Sequence, residues 1–328
     1  MNALKFFASA AIAKAWLLAL LMVVPLHDAA AANKWGADYF PDILLTTNEG
    51  QKVRFYEDLV KGKSVAINVI YTSCKDECPL ETARMAEVQR LMGDRMGKDI
   101  FFYSISIDPE KDTPTILKAY AANFGVGPGW LFLTGNKEDI KLLTRKLGLS
   151  RLNDAASKDG HATSLMLGND PNGQWMRNSA VDNPRFLATT MANFFGWKEP
   201  VLPTASYAQA RSLDTSRAQF TFESRCASCH TIGGGDRIGP DLGQVTTRRN
   251  PVWIARYLKE PDKVLAEGDP IAMILFNRYP KVRMPNLRLG DEDVAVLISY
   301  LAMQSAAAEK AKRTVAAGGE RLPEPAKR

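Results

Sequence analysis

The sequence predicts an α/β domain followed by an all-α domain. Three observations carry this. Between residues 33 and 200, strand-length apolar runs alternate with helix-length stretches. From Thr215 onward the pattern is helical with long loops and no strand signal. Between them, residues 198–213 hold two prolines, small polar residues and little periodicity, as a linker does. The 328 residues suit about two domains at roughly 150 residues each.

In the first domain, 33–197, Val65 to Tyr71 is a mostly apolar run of the kind a central strand has. A helix is expected from about Leu80 to Met96. Ile100 to Ile107 is a second strand, stopped by Asp108-Pro109, and Pro114 opens the next helix. Trp130 to Leu133 is a strand and Lys137 to Leu147 a helix. His161 to Leu167 and Gln174 to Asn178 form a hairpin around Asn169-Asp-Pro-Asn-Gly173. A helix from Pro184 to Phe195 closes the unit. Such alternation predicts a sheet covered on both faces. The second domain, 214–305, is expected to place helices at Ala218–Cys229 and Asp291–Met303. Residues 306–328, rich in Ala, Lys, Glu, Gly and Pro, are expected to be a flexible tail.

Lys5 and Lys14 precede and flank a 12-residue apolar run, Ala15 to Leu26, which leads into Ala29 to Ala32. This order predicts a signal peptide over 1–32, cleaved after Ala32, and hence a periplasmic protein. An uncleaved anchor is the alternative, although the run is short for a bilayer; membrane association is otherwise at most peripheral. The net charge of +6 is not spread evenly: residues 33–200 carry 21 basic and 21 acidic side chains. The basic surplus in the tail comes without aromatics, so no nucleic-acid surface is expected.

The four cysteines fall in two close pairs. Export makes a structural disulfide the bland expectation, but each pair has the spacing of a local chemical device. Cys226-Ala-Ser-Cys229-His230 is the C-x-x-C-H signature of covalent haem attachment. Two thiols on one turn of chain reach the two haem vinyl groups, and the next residue then lies under the iron. A redox C-x-x-C or half a zinc site are the alternatives. Zinc would need further ligands, and no Cys or His follows His230. A second axial ligand is often a Met thioether. Met284, in Arg283-Met-Pro-Asn-Leu287, is that candidate; Met273 is the rival and reads better as core. The segment resembles class I cytochromes c over about 90 residues, through the helix before C-x-x-C-H, Gly239-Pro240, the Met284 loop and a final helix. The resemblance implies haem c held by Cys226 and Cys229, iron ligated by His230 and Met284, and a Pro240 backbone that orients the His230 ring.

Cys74-Lys-Asp-Glu-Cys78-Pro79 lies between a strand end and a helix start. A helix N-terminus favours the thiolate, which is the nucleophile and the metal ligand. Two thiolates and one imidazole make a trigonal set for soft Cu(I). Of three histidines, His27 belongs to the signal and His230 to the haem motif, which leaves His161. These residues resemble the Sco/SenC family, the thioredoxin-like copper proteins of cytochrome c oxidase assembly. The resemblance covers about 165 residues and rests on Tyr71-Thr-Ser-Cys74-x-x-x-Cys78-Pro79, Ser106-Ile-Asp108-Pro-Glu-Lys-Asp112-Thr-Pro114 and His161-x-x-Ser164. It implies a thioredoxin-like fold and a copper ion on Cys74, Cys78 and His161. Lys75 stands where family members often have Pro, which bears on partner choice and copper affinity. Asp108 reads as a turn residue and is not assigned to the metal.

The joint expectation is an exported copper chaperone and electron-transfer factor, whose partners are the copper-containing subunit of a respiratory oxidase, or another copper acceptor, and a redox protein. The competing readings are a thiol–disulfide oxidoreductase or peroxidase-like enzyme working through Cys74 and Cys78, and a copper-responsive sensor. Exported dithiols sit near roughly −100 to −200 mV, and Met/His ligation raises a haem potential. Reduced haem therefore suits copper better than a Cys74–Cys78 disulfide as its electron acceptor.

Overall fold

A computed structural model describes residues 35–74, 77–150, 163–199, 201–202, 216–279 and 282–318. The first domain is built on a seven-stranded mixed sheet: β1 (Leu44–Thr47), β2 (Lys52–Arg54), β3 (Ser64–Ile70), β4 (Phe101–Ser106), β5 (Trp130–Gly135), β6 (Ser164–Asn169) and β7 (Gln174–Ser179). The order across the sheet is β2-β1-β5-β4-β3-β6-β7. β3 pairs in parallel with β4, Val65 opposite Phe101, and antiparallel with β6, Ile67 opposite Met166.

Strand alternation sends neighbouring side chains to opposite faces, and the core divides accordingly. On one face Ala66, Ile70 and Phe102 pack with Met85, Val88 and Met92 of α1 (Glu77–Met92), Leu117 of α2 (Pro114–Asn123) and Met191 of α4 (Pro184–Phe194). On the other, Val65, Ile67, Val69 and Tyr103 meet Ile140 and Leu143 of α3 (Lys137–Lys146) and Leu59 of a π-helical stretch, Phe55–Val60. Helix starts follow local chemistry: Thr113, Asn136 and Asn183 each accept backbone N–H bonds as N-caps, two of them with Pro in the first turn.

The second domain consists, among the described residues, of helices α5 (Arg217–Arg225), α6 (Val245–Arg248), α7 (Pro251–Lys259), α8 (Pro261–Ala266), α9 (Pro270–Arg278) and α10 (Asp291–Gly318). Phe222 of α5, Leu258 of α7 and Leu297, Tyr300 and Leu301 of α10 form its core.

Several expectations need correction. α1 begins at Glu77 rather than Leu80, so Cys78 lies inside its first turn. α5 ends at Arg225, before Cys226, because the chain turns out of the helix to bring the motif round. The flexible tail does not begin at 306: α10 runs to Gly318, since Ala306 to Arg313 contains only strong helix formers. The strands β1 and β2 and the π-helical stretch were not anticipated. The two strands are four and three residues long at a sheet edge, too short for alternation to register. No described helix is long and apolar enough to cross a membrane.

Candidate functional site

β3 ends at Ile70, and the chain continues through Tyr71, Thr72 and Ser73 to Cys74. Buried Asp112, from the turn after β4, clamps this segment. Its carboxylate accepts from the Thr72 backbone N–H (3.1 Å), the Thr72 hydroxyl and the Ser106 hydroxyl (2.6 Å). Cys74 is half-buried and Cys78 is fully buried. The Cys78 backbone N–H points at Cys74 Sγ, 3.4 Å away, where the N-terminal end of a helix favours negative charge.

The two thiols are not equivalent. A hydrogen bond to Cys74, then burial, push the Cys78 thiol far above the usual range. A helix start alone predicts the opposite for Cys78; thiol–thiol bonding and burial outweigh it. Behind the pair, Thr82 donates to the Cys78 carbonyl (2.8 Å) and lies 3.0 Å from the Tyr120 hydroxyl, which burial raises well above its ordinary value. The structure thus brings Cys74 and Cys78 together. His161 lies outside the described residues, as do Lys75 and Asp76. Among the described residues no cluster of three His, Cys, Asp or Glu side chains could hold a metal.

In the second domain Cys226, Cys229, His230, Pro240 and Met284 line one cavity of about 280 Å³. The motif closes on itself: the N–H groups of Cys229 and His230 both donate to the Cys226 carbonyl, at 3.1 and 2.9 Å. His230 Nδ1 is 2.8 Å from the Pro240 carbonyl oxygen. A carbonyl only accepts, so this bond assigns the proton to Nδ1 and leaves the Nε2 lone pair free. Burial lowers the pKa of His230 against the effect of that bond, which favours the neutral imidazole a metal needs. Burial pushes Cys226 and Cys229 each up to about 12. Gly239 is required beside the ring, because a Cβ there would stand 2.5 Å from His230 Cε1. Asn286 donates to Asp262 (2.9 Å), and Arg225 to the Leu287 carbonyl (3.1 Å), which fix the Met284 loop. Met273 is 39% exposed on α9 and does not line the cavity. Two thiols, an imidazole with a free nitrogen and a thioether lining the same cavity form a donor set that fits haem c.

The family model for SCO1/SenC matches residues 33–194, and that for cytochrome c matches residues 216–305. The chain carries a SCO1/SenC domain followed by a cytochrome c domain. An SCO2-like protein of Rickettsia felis is 32% identical over 138 residues, covering 39% of this chain and 64% of that protein. The SCO1 protein homolog of Bacillus subtilis is 38% identical over 77 residues, covering 23% and 39%. The solved copper-bound ScoI of Bradyrhizobium japonicum is 26% identical at a TM-score of 0.40, covering 47% of this chain and 98% of that one. The chain spans less than two-thirds of the length of the first curated relatives it matches.

Within the SCO1/SenC domain, the clamp by Asp112 was missed as a functional feature; its signal was the second carboxylate of Asp108-x-x-x-Asp112. Asp108 itself is 4% exposed, with Lys111 Nζ at 3.7 Å. The contact between the SCO1/SenC and cytochrome c domains was also missed. Arg237, anchored on the Ala227 carbonyl at 2.9 Å, reaches Glu87 of α1 at 3.5 Å. No local periodicity announces such a pairing.

Proposed function

We propose that this protein is an exported copper metallochaperone and electron-transfer factor for assembly of a respiratory oxidase. Copper is its cargo, taken by Cys74, Cys78 and His161 and passed to a copper-containing oxidase subunit. The observation that carries this reading is the pairing of Cys74 and Cys78 at the mouth of the central strand in a SCO1/SenC domain. Thiolates with one imidazole suit Cu(I).

In the cytochrome c domain Cys226 and Cys229 would hold haem covalently, and His230 and Met284 would ligate its iron. When bound, haem supplies a one-electron couple, which matches the Cu(II)/Cu(I) change and not the two-electron dithiol couple. The Pro240 carbonyl keeps the proton on Nδ1 of His230 and leaves Nε2 free to act as a ligand. The apolar run and alanines of 1–32 support export to the periplasm.

Copper and haem counted per chain, in protein purified from copper-supplemented cells, test the reading. One of each is expected in the wild type. His161→Ala is expected to lose copper and oxidase assembly while keeping haem. A variant that keeps its copper, or that keeps oxidase assembly without it, overturns the chaperone reading. Thiol–disulfide turnover surviving in that variant while oxidase assembly is unaffected would instead favour an oxidoreductase.

A further inference from the structure

Arg84 is a buried charge that the thiol site does not use. It sits mid-way along α1 in the SCO1/SenC domain, only 4% exposed. Its Nε has no hydrogen-bond partner among the described residues. A buried guanidinium nitrogen left unpaired is costly and calls for a reason. The charges within its reach are Asp182, Arg225 and the two haem-motif cysteines, Cys229 and Cys226. Arg84 stands one helical turn before Glu87 on α1, and Glu87 takes Arg237, which is anchored on the carbonyl of Ala227 between the two motif cysteines. The cavity that carries Cys226, Cys229, His230 and Met284 also has Pro79 in its wall. Pro79 belongs to α1 and directly follows Cys78. The Arg237–Glu87 pair, at 3.5 Å, closes the same contact at its rim.

We propose that Arg84 is a potential-setting residue of the haem, so that α1 of the SCO1/SenC domain forms part of the haem site. This rests on the reading that Cys226 and Cys229 carry haem. The physical case is Coulombic. The oxidised haem iron bears one more positive charge than the reduced iron, so a fixed cation beside it favours the reduced form. The effect is large where water is excluded and small where water screens it. Arg84 is buried, and its guanidinium stays charged at any working pH. Its charge therefore acts on the cysteine edge of the haem wherever the two domains are docked. The same helix begins at the thiol pair, so one element ties the potential of the haem to the Cys74–Cys78 site.

The test uses the full chain with haem attached and no copper added. The midpoint potential is measured by spectroelectrochemistry in the wild type, in Arg84→Met and in Arg84→Lys. Arg84→Met is expected to shift the reduction equilibrium about tenfold toward the oxidised form, which is about 59 mV lower for a one-electron couple. Arg84→Lys keeps the charge and is expected to stay within about twofold of the wild type, a rescue that a purely packing role would not give. Should the Met variant fail to accumulate, Arg84→Gln carries the same expectation. An uncharged variant that keeps its Met–iron absorption band and reduces at the wild-type potential overturns the proposal. A wild-type protein without haem absorbance would instead overturn the haem reading itself.

Discussion

His230 Nδ1 lies 2.8 Å from the carbonyl oxygen of Pro240, and Gly239 leaves no room for a side chain against the same ring. The residue before the proline and the proline itself therefore hold the ring from two sides. Gly239→Ala puts a methyl group 2.5 Å from His230 Cε1, and relief of such overpacking costs about 1–3 kcal/mol. Haem is expected to stay attached through Cys226 and Cys229 while imidazole ligation weakens. A shifted haem absorption spectrum and a lower denaturation midpoint check this. An unchanged spectrum at unchanged stability would mean the ring is held elsewhere.

Asp241 organises the loop that carries this proline. Its carboxylate accepts from the backbone N–H groups of Gly233 (2.7 Å), Gly235 (2.6 Å) and Gly243 (2.6 Å). Burial opposes its ionisation, but the three N–H groups outweigh it and hold the carboxyl below the usual carboxylate range. A folded-state value below the unfolded one contributes stability above the unfolded pKa of about 3.9, lost as pH falls through the lower folded value. Asp241→Asn is expected to lower stability at neutral pH by about 1–3 kcal/mol, toward the small end because the group is partly exposed. Urea titrations should show the gap from wild type narrowing below about pH 4. A gap constant across that range would remove the charge from the explanation.

What was legible in the sequence shares one property: it is local. Cys226, Cys229 and His230 lie within one turn of chain. Cys74 and Cys78 lie within one strand-to-helix turn, and the Pro114 and Pro184 helix starts are written in two or three residues. What was not legible is long-range or compensated. Arg84 reads as an ordinary helix residue, yet the fold buries it and brings it within electrostatic reach of Cys226 and Cys229, 142 residues and more away in sequence. The helix starts three residues earlier than expected and takes Cys78 into its first turn, where the thiol–thiol bond and burial reverse the shift that position alone implies. The composition of 306–318 was read as that of a tail, although its alanines and charged residues favour helix and extend α10.

Asp112 offers a test of how the thiol loop is held. It is fully buried and ties Thr72, two residues before Cys74, to Ser106 at the end of β4. Asp112→Ala leaves the Thr72 N–H and two hydroxyls without their acceptor. A loss of about 1–3 kcal/mol for each buried donor left unpaired sets the scale. A clear drop in the urea midpoint is expected, together with faster alkylation of Cys74 as its loop loosens. A destabilised variant with unchanged Cys74 reactivity would make Asp112 a support of the fold and not of the site.

The inequality of the two thiols gives the most direct measurement. Attack on an alkylating reagent needs both access and thiolate. Cys78 has neither: it is fully buried, and the hydrogen bond to Cys74 and burial hold its proton on. Cys74 is half-buried and accepts the Cys78 N–H at the helix start. Each unit of pKa changes the thiolate fraction about tenfold at a fixed pH below both values. Iodoacetamide on the reduced, copper-free chain is therefore expected to modify Cys74 at least about tenfold faster than Cys78. Cys78→Ser should leave the fast phase in place, and Cys74→Ser should leave only the slow one, because burial of Cys78 persists when its partner is replaced. Equal rates, read by mass spectrometry of the labelled peptides, would require the first turn of α1 to open on the timescale of labelling, and the paired-thiol geometry would then not describe the reduced protein in solution.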